Sequence, residues 1–332
     1  METRKVQLSG GTTYTVSLPK QWANEHGVTA GDLLSLKPRD DGALIVQVLD
    51  NGRDQASATV DVSDYGPDEV RVAIHALYIL GFDHITLRLG DDEANLRAAR
   101  ETTRLLVGIE VLERDAASFT IHSVMSADHV SVRKSIIRLE LIVDAMQQDA
   151  VTALCENDAD LAAEAATRDN EADKLHALLT RCLRRSLGVF DEVQKLEHDR
   201  ASLFEHYQVA RQLERIGDHA EKIAGLSTDL DASNGEISAA IPSLDRRARD
   251  IRNAATDVVL SDDPVDIAYD AIADCDALIA DIDDRRRSLY DHSDSGEAYT
   301  YGIVLDSIQR TAEYGANIAD IAVQRHYRHS HW

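Results

Sequence analysis

The chain has 332 residues, a net charge of −24 and only 5% aromatic residues. That length accommodates two or three domains with cores of their own, and the absence of any run of roughly 18 apolar residues excludes a membrane-spanning helix. Arg outnumbers Lys 28 to 7; an acidic surface poor in Lys suits a protein kept soluble in concentrated salt, where screening lengths fall to about 3 Å at 1 M, so the surplus charge does not exclude a nucleic-acid partner.

The opening stretch, METRKVQLSGG, lacks an apolar signal core. Val6 and Leu8, then Tyr14, Val16 and Leu18, alternate around Gly10–Gly11 and predict a hairpin. Pro19 opens a short helical piece closed by Gly27. LLSLKP and ALIVQVL flank a polar turn at 39–42 as a second hairpin. Short strands over fifty residues bury little core, so a dimer is the physical expectation for 1–52. Residues 51–57 read as a polar linker. Over 58–126 helical spacing at Val70, Ala73, Ile74, Leu77 and Tyr78, a strand at Ile85–Leu89, a second helix at 91–108 and a strand pair at IEVLER and SFTIHSV predict a small α/β linker domain.

From Asp128 onward the pattern is helical. Val132, Ile136, Leu139, Val143, Met146, Ala150 and Leu154 form a seam with bundle-like 3-4 spacing. Further helices are expected over about 160–187 and 196–228, then, after a break at 233–242 that includes Pro242, over 243–260, 264–290 and 297–327. RQLERIGDHAEKIA (211–224) recurs as RTAEYGANIADIAV (310–323), a shift of 99 residues, which divides the region into two three-helix repeats, 128–230 and 240–328. The predicted fold is therefore multidomain and mainly α: a small β domain, a small α/β domain and two three-helix bundles.

The repeat also carries the candidate chemistry. Glu214 and Asp218 lie four apart, as do Asp169 and Asp173, so each pair shares a helix face beside the apolar seam. Facing helices bring such oxygens together, and hard oxygen ligands suit Mg²⁺, Mn²⁺ or iron; solvated surface acids are the alternative in a chain with 59 of them. The second repeat is poorer: Asp276 matches Asp173, but Ile272 and Asn317 stand in place of Asp169 and Asp218, leaving Glu313 and Asp320 to compensate in part. His219 points away from the pair, and the terminal HYRHSHW reads as a frayed, exposed tail. Cys155, Cys182 and Cys275 lack metal or redox spacing and read as small core residues in a reducing cytoplasm. No nucleophile–base set, Walker loop or GxGxxG is present, so no enzyme is expected.

LERIGDHAEKIA at 213–224, with its second copy, resembles the PhoU family of phosphate-uptake regulators. The resemblance implies divalent or iron-type metal ions at Asp169, Asp173, Glu214 and Asp218, and at Asp276 and Glu313 in the second repeat, where Asn317 departs from the pattern. SLPKQW followed by GVTAGD and a hairpin resembles the AbrB/SpoVT/MazE swapped-hairpin domain, whose members dimerise and in many cases bind DNA. The joint arrangement is similar to archaeal phosphate-uptake regulators. Residues 1–50 carry five basic against six acidic side chains, or −1, leaving −23 for the rest. DNA contacts need local cations, and Arg4, Lys5 and Lys20 are the candidates. The reading is a cytoplasmic, homodimeric transcriptional regulator of phosphate uptake; the alternative is an adaptor for the phosphate transporter ATPase or a sensor kinase, its β domain serving only to dimerise.

Overall fold

The computed structural model describes residues 3–38, 42–48, 56–90, 92–114, 118–227, 236–261, 263–292 and 295–331. The expected turn at 39–41 and most of the expected linker lie outside that set. The chain divides into two compact units, residues 1–56 and 57–332.

In the first unit β1 (Gln7–Ser9) pairs antiparallel with β2 (Thr13–Thr15), Leu8 opposite Tyr14. The turn between them needs positive φ, which Gly10 (65°) and Gly11 (84°) supply. Helix α1 (Lys20–Glu25) follows Pro19. Asp32 accepts from the N–H and hydroxyl of Thr29 at 2.7 and 3.0 Å, and β3 (Leu34–Pro38) pairs with β4 (Leu44–Val48). No described residue of this unit is buried. Val6, Leu8, Tyr14 and Val16 are 64, 60, 76 and 50% exposed.

The second unit begins with strand β5 (Ser57–Asp61), where the sequence suggested the end of a linker and the start of a mixed region; the alternation Ala58, Val60, Val62 is too short to stand out alone. Then come α2 (Pro67–Leu80), β6 (His84–Arg88), α3 (Glu93–Arg104), β7 (Ile109–Arg114) and β8 (Ser118–Ser123). The sheet order is β5-β6-β8-β7, with β5 and β6 parallel across α2 and the other pairs antiparallel. Glu69 reaches back to the N–H of Gly66 at 2.9 Å to start α2, and Gly81 at φ 96° ends it. Val70, Ile74, Tyr78, Ile85, Leu87, Phe119 and Ile121 make the core.

The helical part comprises α4 (Val132–Glu156), α5 (Ala159–Thr167), α6 (Asp169–Gly188), α7 (Phe190–Lys195), α8 (Arg200–Gly225), α9 (Glu236–Leu260), α10 (Asp266–His292) and α11 (Ser295–His331). Every residue of the predicted α4 seam is buried. One core runs through both repeats, because α8 packs against α4 on one side and α11 on the other.

Three expectations are corrected. The helix expected over 160–187 is two helices, α5 closing at Thr167 and α6 opening at Asp169, where Asp169 and Glu171 supply a first turn in which acids are favoured. Pro242 lies inside α9 rather than in a break; it sits in the second turn, so only the carbonyl of Ser238 loses a partner, and buried Ile241, Leu244 and Ala248 carry the helix on. The histidine-rich end is helical to His331, because Arg328 is held by Glu205 at 2.8 and 2.9 Å. Cys182 and Cys275 are buried and Cys155 half-buried, as core packing requires.

Candidate functional site

The acids on α6 and α8 form two matching stripes. Asp169, Asp173 and His176 follow the spacing i, i+4, i+7 on α6, and Glu214, Asp218 and Glu221 follow the same spacing on α8. The two helices pack together, and each stripe flanks buried positions, Ala172 and Leu175 on one, Leu213, Ile216 and Gly217 on the other.

Gly217 lies between the stripes, with room for ordinary van der Waals contact. A Cβ there would stand 3.4 Å from Asp169 Oδ1 and 3.7 Å from Val143. Asp169 Oδ1 is buried without a hydrogen-bond partner, an arrangement that costs about 1–3 kcal/mol unless something positive meets it. Burial, then Asp173, Glu221 and Asp218, push the Asp169 carboxyl up to about 7. Glu214 is likewise pushed up to about 7 by burial, then Asp218 and Asp173, with Arg215 easing it slightly. Asp218 is raised by burial and by Asp173 and Glu221, Arg215 again opposing. Asp173 is raised by desolvation against the pull of His75, although both Asp173 and Asp218 keep a substantial solvent-facing surface; the stronger desolvation belongs to Asp169 and Glu214.

Two side chains that the sequence reading did not single out belong here. His176 Nδ1 lies 3.9 Å from Glu214 Oε1, too far for a hydrogen bond, and its Nε2 is buried without a partner. Burial, then Arg211 and His75, hold its pKa down to about 4, so it is a neutral imidazole with lone-pair capacity. Glu221 adds a third α8 acid. The signal for both was present: each extends its pair by three residues along the same face.

All four predicted acids of the first repeat thus sit in one mutually repelling group. The donor chemistry fits a hard cation, with an orphaned carboxylate oxygen and three further acids beside it. Their side chains are not closed around a point: among the described residues no three His, Cys, Asp or Glu groups are placed to hold one ion. A metal would have to draw the carboxylates together.

The second repeat differs in kind. Asp276 is exposed. Glu313 accepts from Arg310 at 2.7 Å and Gln309 at 2.8 Å, and exposed Asn317 donates to Gln212 at 3.2 Å. Arg247 and Arg285 pair with Asp281 at 2.7 and 2.9 Å. Arginines here neutralise acids that the first repeat leaves facing each other. His219, set apart from the acid stripes, contacts Ser307 Oγ at 3.2 Å.

At its far end α6 is bolted to the α/β part. Arg181 donates to the carbonyls of Tyr78 (2.6 Å) and Phe82 (3.0 Å) and to Asp83 (3.1 Å). Arg185 donates to Gly81 O (2.8 Å), Asp83 (2.6 Å) and Glu192 (2.7 Å). The helix that carries Asp169 and Asp173 therefore also grips the end of α2. In the first unit Arg4, Lys5 and Lys20 are all exposed, the first two just ahead of β1 and Lys20 opening α1.

Comparison with known proteins places two spans. Residues 136–226 match the PhoU domain family, and residues 7–53 match the family of the antidote-toxin recognition MazE, a bacterial antitoxin. No curated protein matches the chain. Among solved structures, the phosphate transport system regulatory protein PhoU from Streptococcus pneumoniae is similar at 16% identity and a TM-score of 0.46, over 58% of this chain and 91% of that one. No helix among the described residues is long and apolar enough to cross a membrane.

Proposed function

We propose that this chain is a DNA-binding regulator of phosphate uptake. The observation that carries the reading is the presence, on one chain, of a MazE-type span at 7–53 and a PhoU-domain span at 136–226. The first implies a β dimer able to meet DNA, the second a phosphate-regulatory bundle. Arg4, Lys5 and Lys20 supply the phosphate-backbone contacts, in a unit whose charge is near balance while the rest of the chain is strongly acidic. Asp169, Asp173, Glu214 and Asp218 would hold a divalent or iron-type ion, which when bound neutralises carboxylates that otherwise repel one another. Asp276 and Glu313 would make at most a weaker second seat, since Arg310 already occupies Glu313.

A gel shift against DNA upstream of phosphate-transporter genes tests the reading. Wild type gives a sequence-specific shift at the salt in which it is folded. Changing Arg4, Lys5 and Lys20 together to Ala weakens binding about tenfold or more and flattens its salt dependence. Absence of any specific shift removes the DNA role and leaves the adaptor reading, in which the bundle binds a transporter ATPase or a sensor kinase.

A further inference from the structure

Residues 321–331 contain two arginines, three histidines and no acid, in a chain of net charge −24. They form the final turns of α11. Arg328 is consumed internally by Glu205 and by Ser202 Oγ at 3.1 Å. Arg325 is not. Its Nη1 lies 3.9 Å from Glu205, which Arg328 already engages on both oxygens, and is buried without a hydrogen-bond partner. Arg325 is thus a cation paired only loosely with Glu205, and its side chain keeps 24% exposure.

Arg325 also lines a cavity of about 270 Å³ with Ser261, Asp263, His326, His329 and Ser330, the remaining wall being aliphatic. At about 30 Å³ per water this space exceeds what a small tetrahedral anion needs. Arg325, Ser261, His326 and His329 can donate hydrogen bonds, Ser330 already gives its hydroxyl proton to His326 O at 2.9 Å, and Asp263 is purely an acceptor. The C-terminal end of α11 is electrostatically unfavourable to an anion, but the wall at Asp263 and Val265 stands immediately before the first turn of the 27-residue α10, whose positive end offsets it. His206, nearby on α8, adds no charge, because burial, then His198 and Arg325, hold its pKa down to about 4. Two histidines and an aspartate invite a transition metal, yet no three such groups among the described residues are placed to hold one.

We propose that this cavity binds a tetrahedral oxyanion, inorganic phosphate in its hydrogen-phosphate form, with Arg325 as the anchor. Guanidinium geometry suits an oxyanion, and His326, His329 and Ser261 complete its shell. Asp263 then sets selectivity. Its carboxylate repels a fully ionised anion but accepts the O–H of hydrogen phosphate, a proton that sulfate does not carry at neutral pH. The site deepens the regulatory reading and rests on it for its biological meaning, whereas its chemistry stands on the cavity alone.

Calorimetric titration of inorganic phosphate into the full chain, in chelator and without DNA, tests this. Wild type binds phosphate saturably and in preference to sulfate. Arg325→Gln weakens binding roughly tenfold, the scale of one lost charged hydrogen bond. Because Arg325 also neighbours Glu205, the exposed pair His326→Ala and His329→Ala serves as a second probe that spares the fold and weakens binding several-fold. Asp263→Asn narrows the preference for phosphate over sulfate. No saturable binding in wild type, or wild-type affinity in the His326/His329 double variant, overturns the proposal. Neither result alters the gel shift of phosphate-free wild type, so the two readings fail separately.

Discussion

Asp169 and Glu214 invert the usual pH behaviour of acids in a folded protein. Both have folded-state pKa values of about 7, above the ordinary carboxylate value of about 4. Between those values the folded chain holds protons that the unfolded chain has released, so stability falls as pH rises through the window. Glu140 and Asp245, pushed up to about 7 and about 6 mainly by burial, act in the same direction. His176 and His206, held down to about 4, act oppositely below about pH 6.5, because there the unfolded chain binds the proton. The difference between wild type and Asp169→Asn isolates the first effect. In chelator, urea unfolding across pH 4 to 7 is expected to show a smaller stability loss in the variant, and saturating Mn²⁺ is expected to restore wild type at the upper end. Identical pH slopes for the two proteins would show that Asp169 titrates as an ordinary acid. At this scale the i, i+4 pairs could be read from the linear chain, whereas the orphaned Oδ1 of Asp169 could not: it depends on burial against another helix, beside Gly217.

Among the elements, α6 has a double attachment, acids at one end and the Arg181–Arg185 clamp at the other. Arg181 is 4% exposed in its side chain and Asp83 10%. Arg181→Leu orphans the carbonyls of Tyr78 and Phe82 and is expected to cost about 3 kcal/mol, the low end for a broken buried pair because Arg185 still holds Asp83. Urea denaturation measures it, and a loss within about 0.5 kcal/mol, the range of ordinary surface changes, would show the clamp to be incidental. The contact between repeats is similarly polar: fully buried Arg252 meets Asp144 and, at 3.2 Å, Gln147, and Gly315 lets α11 approach to where a Cβ would sit 3.0 Å from the Arg252 backbone nitrogen. Periodicity alone located α4, α8 and α10 closely. It missed the α5–α6 division, the early start of α9 and the helical tail, of which the last two are decided by a buried seam and a distant ion pair that override propensity.

The molecule as a whole joins a unit with no buried described residue to one with two buried cores, that of the α/β part and that of the helical repeats. Such a β unit is expected to gain its core by pairing with a second copy, and Leu8, Tyr14 and Val16 are apolar surface available for it. Light scattering is expected to give twice the chain mass for wild type, and half that for Leu8→Asp combined with Val16→Asp, with helical content retained; a monomeric wild type would refute the pairing. The alternating strands, the duplicated helical seam and the mainly helical, multidomain class were determined by the sequence alone, because the periods of 2 and 3.6 residues report directly which side of each element is apolar. Ile272 and Asn317 already marked the second repeat as the poorer site in the sequence; only the tertiary structure decided what each remaining acid faces. Whether a carboxylate faces another acid, as Asp169 does, or an arginine, as Glu313 does, depends on which helices pack together, and the spacing along one helix carries no record of its neighbour.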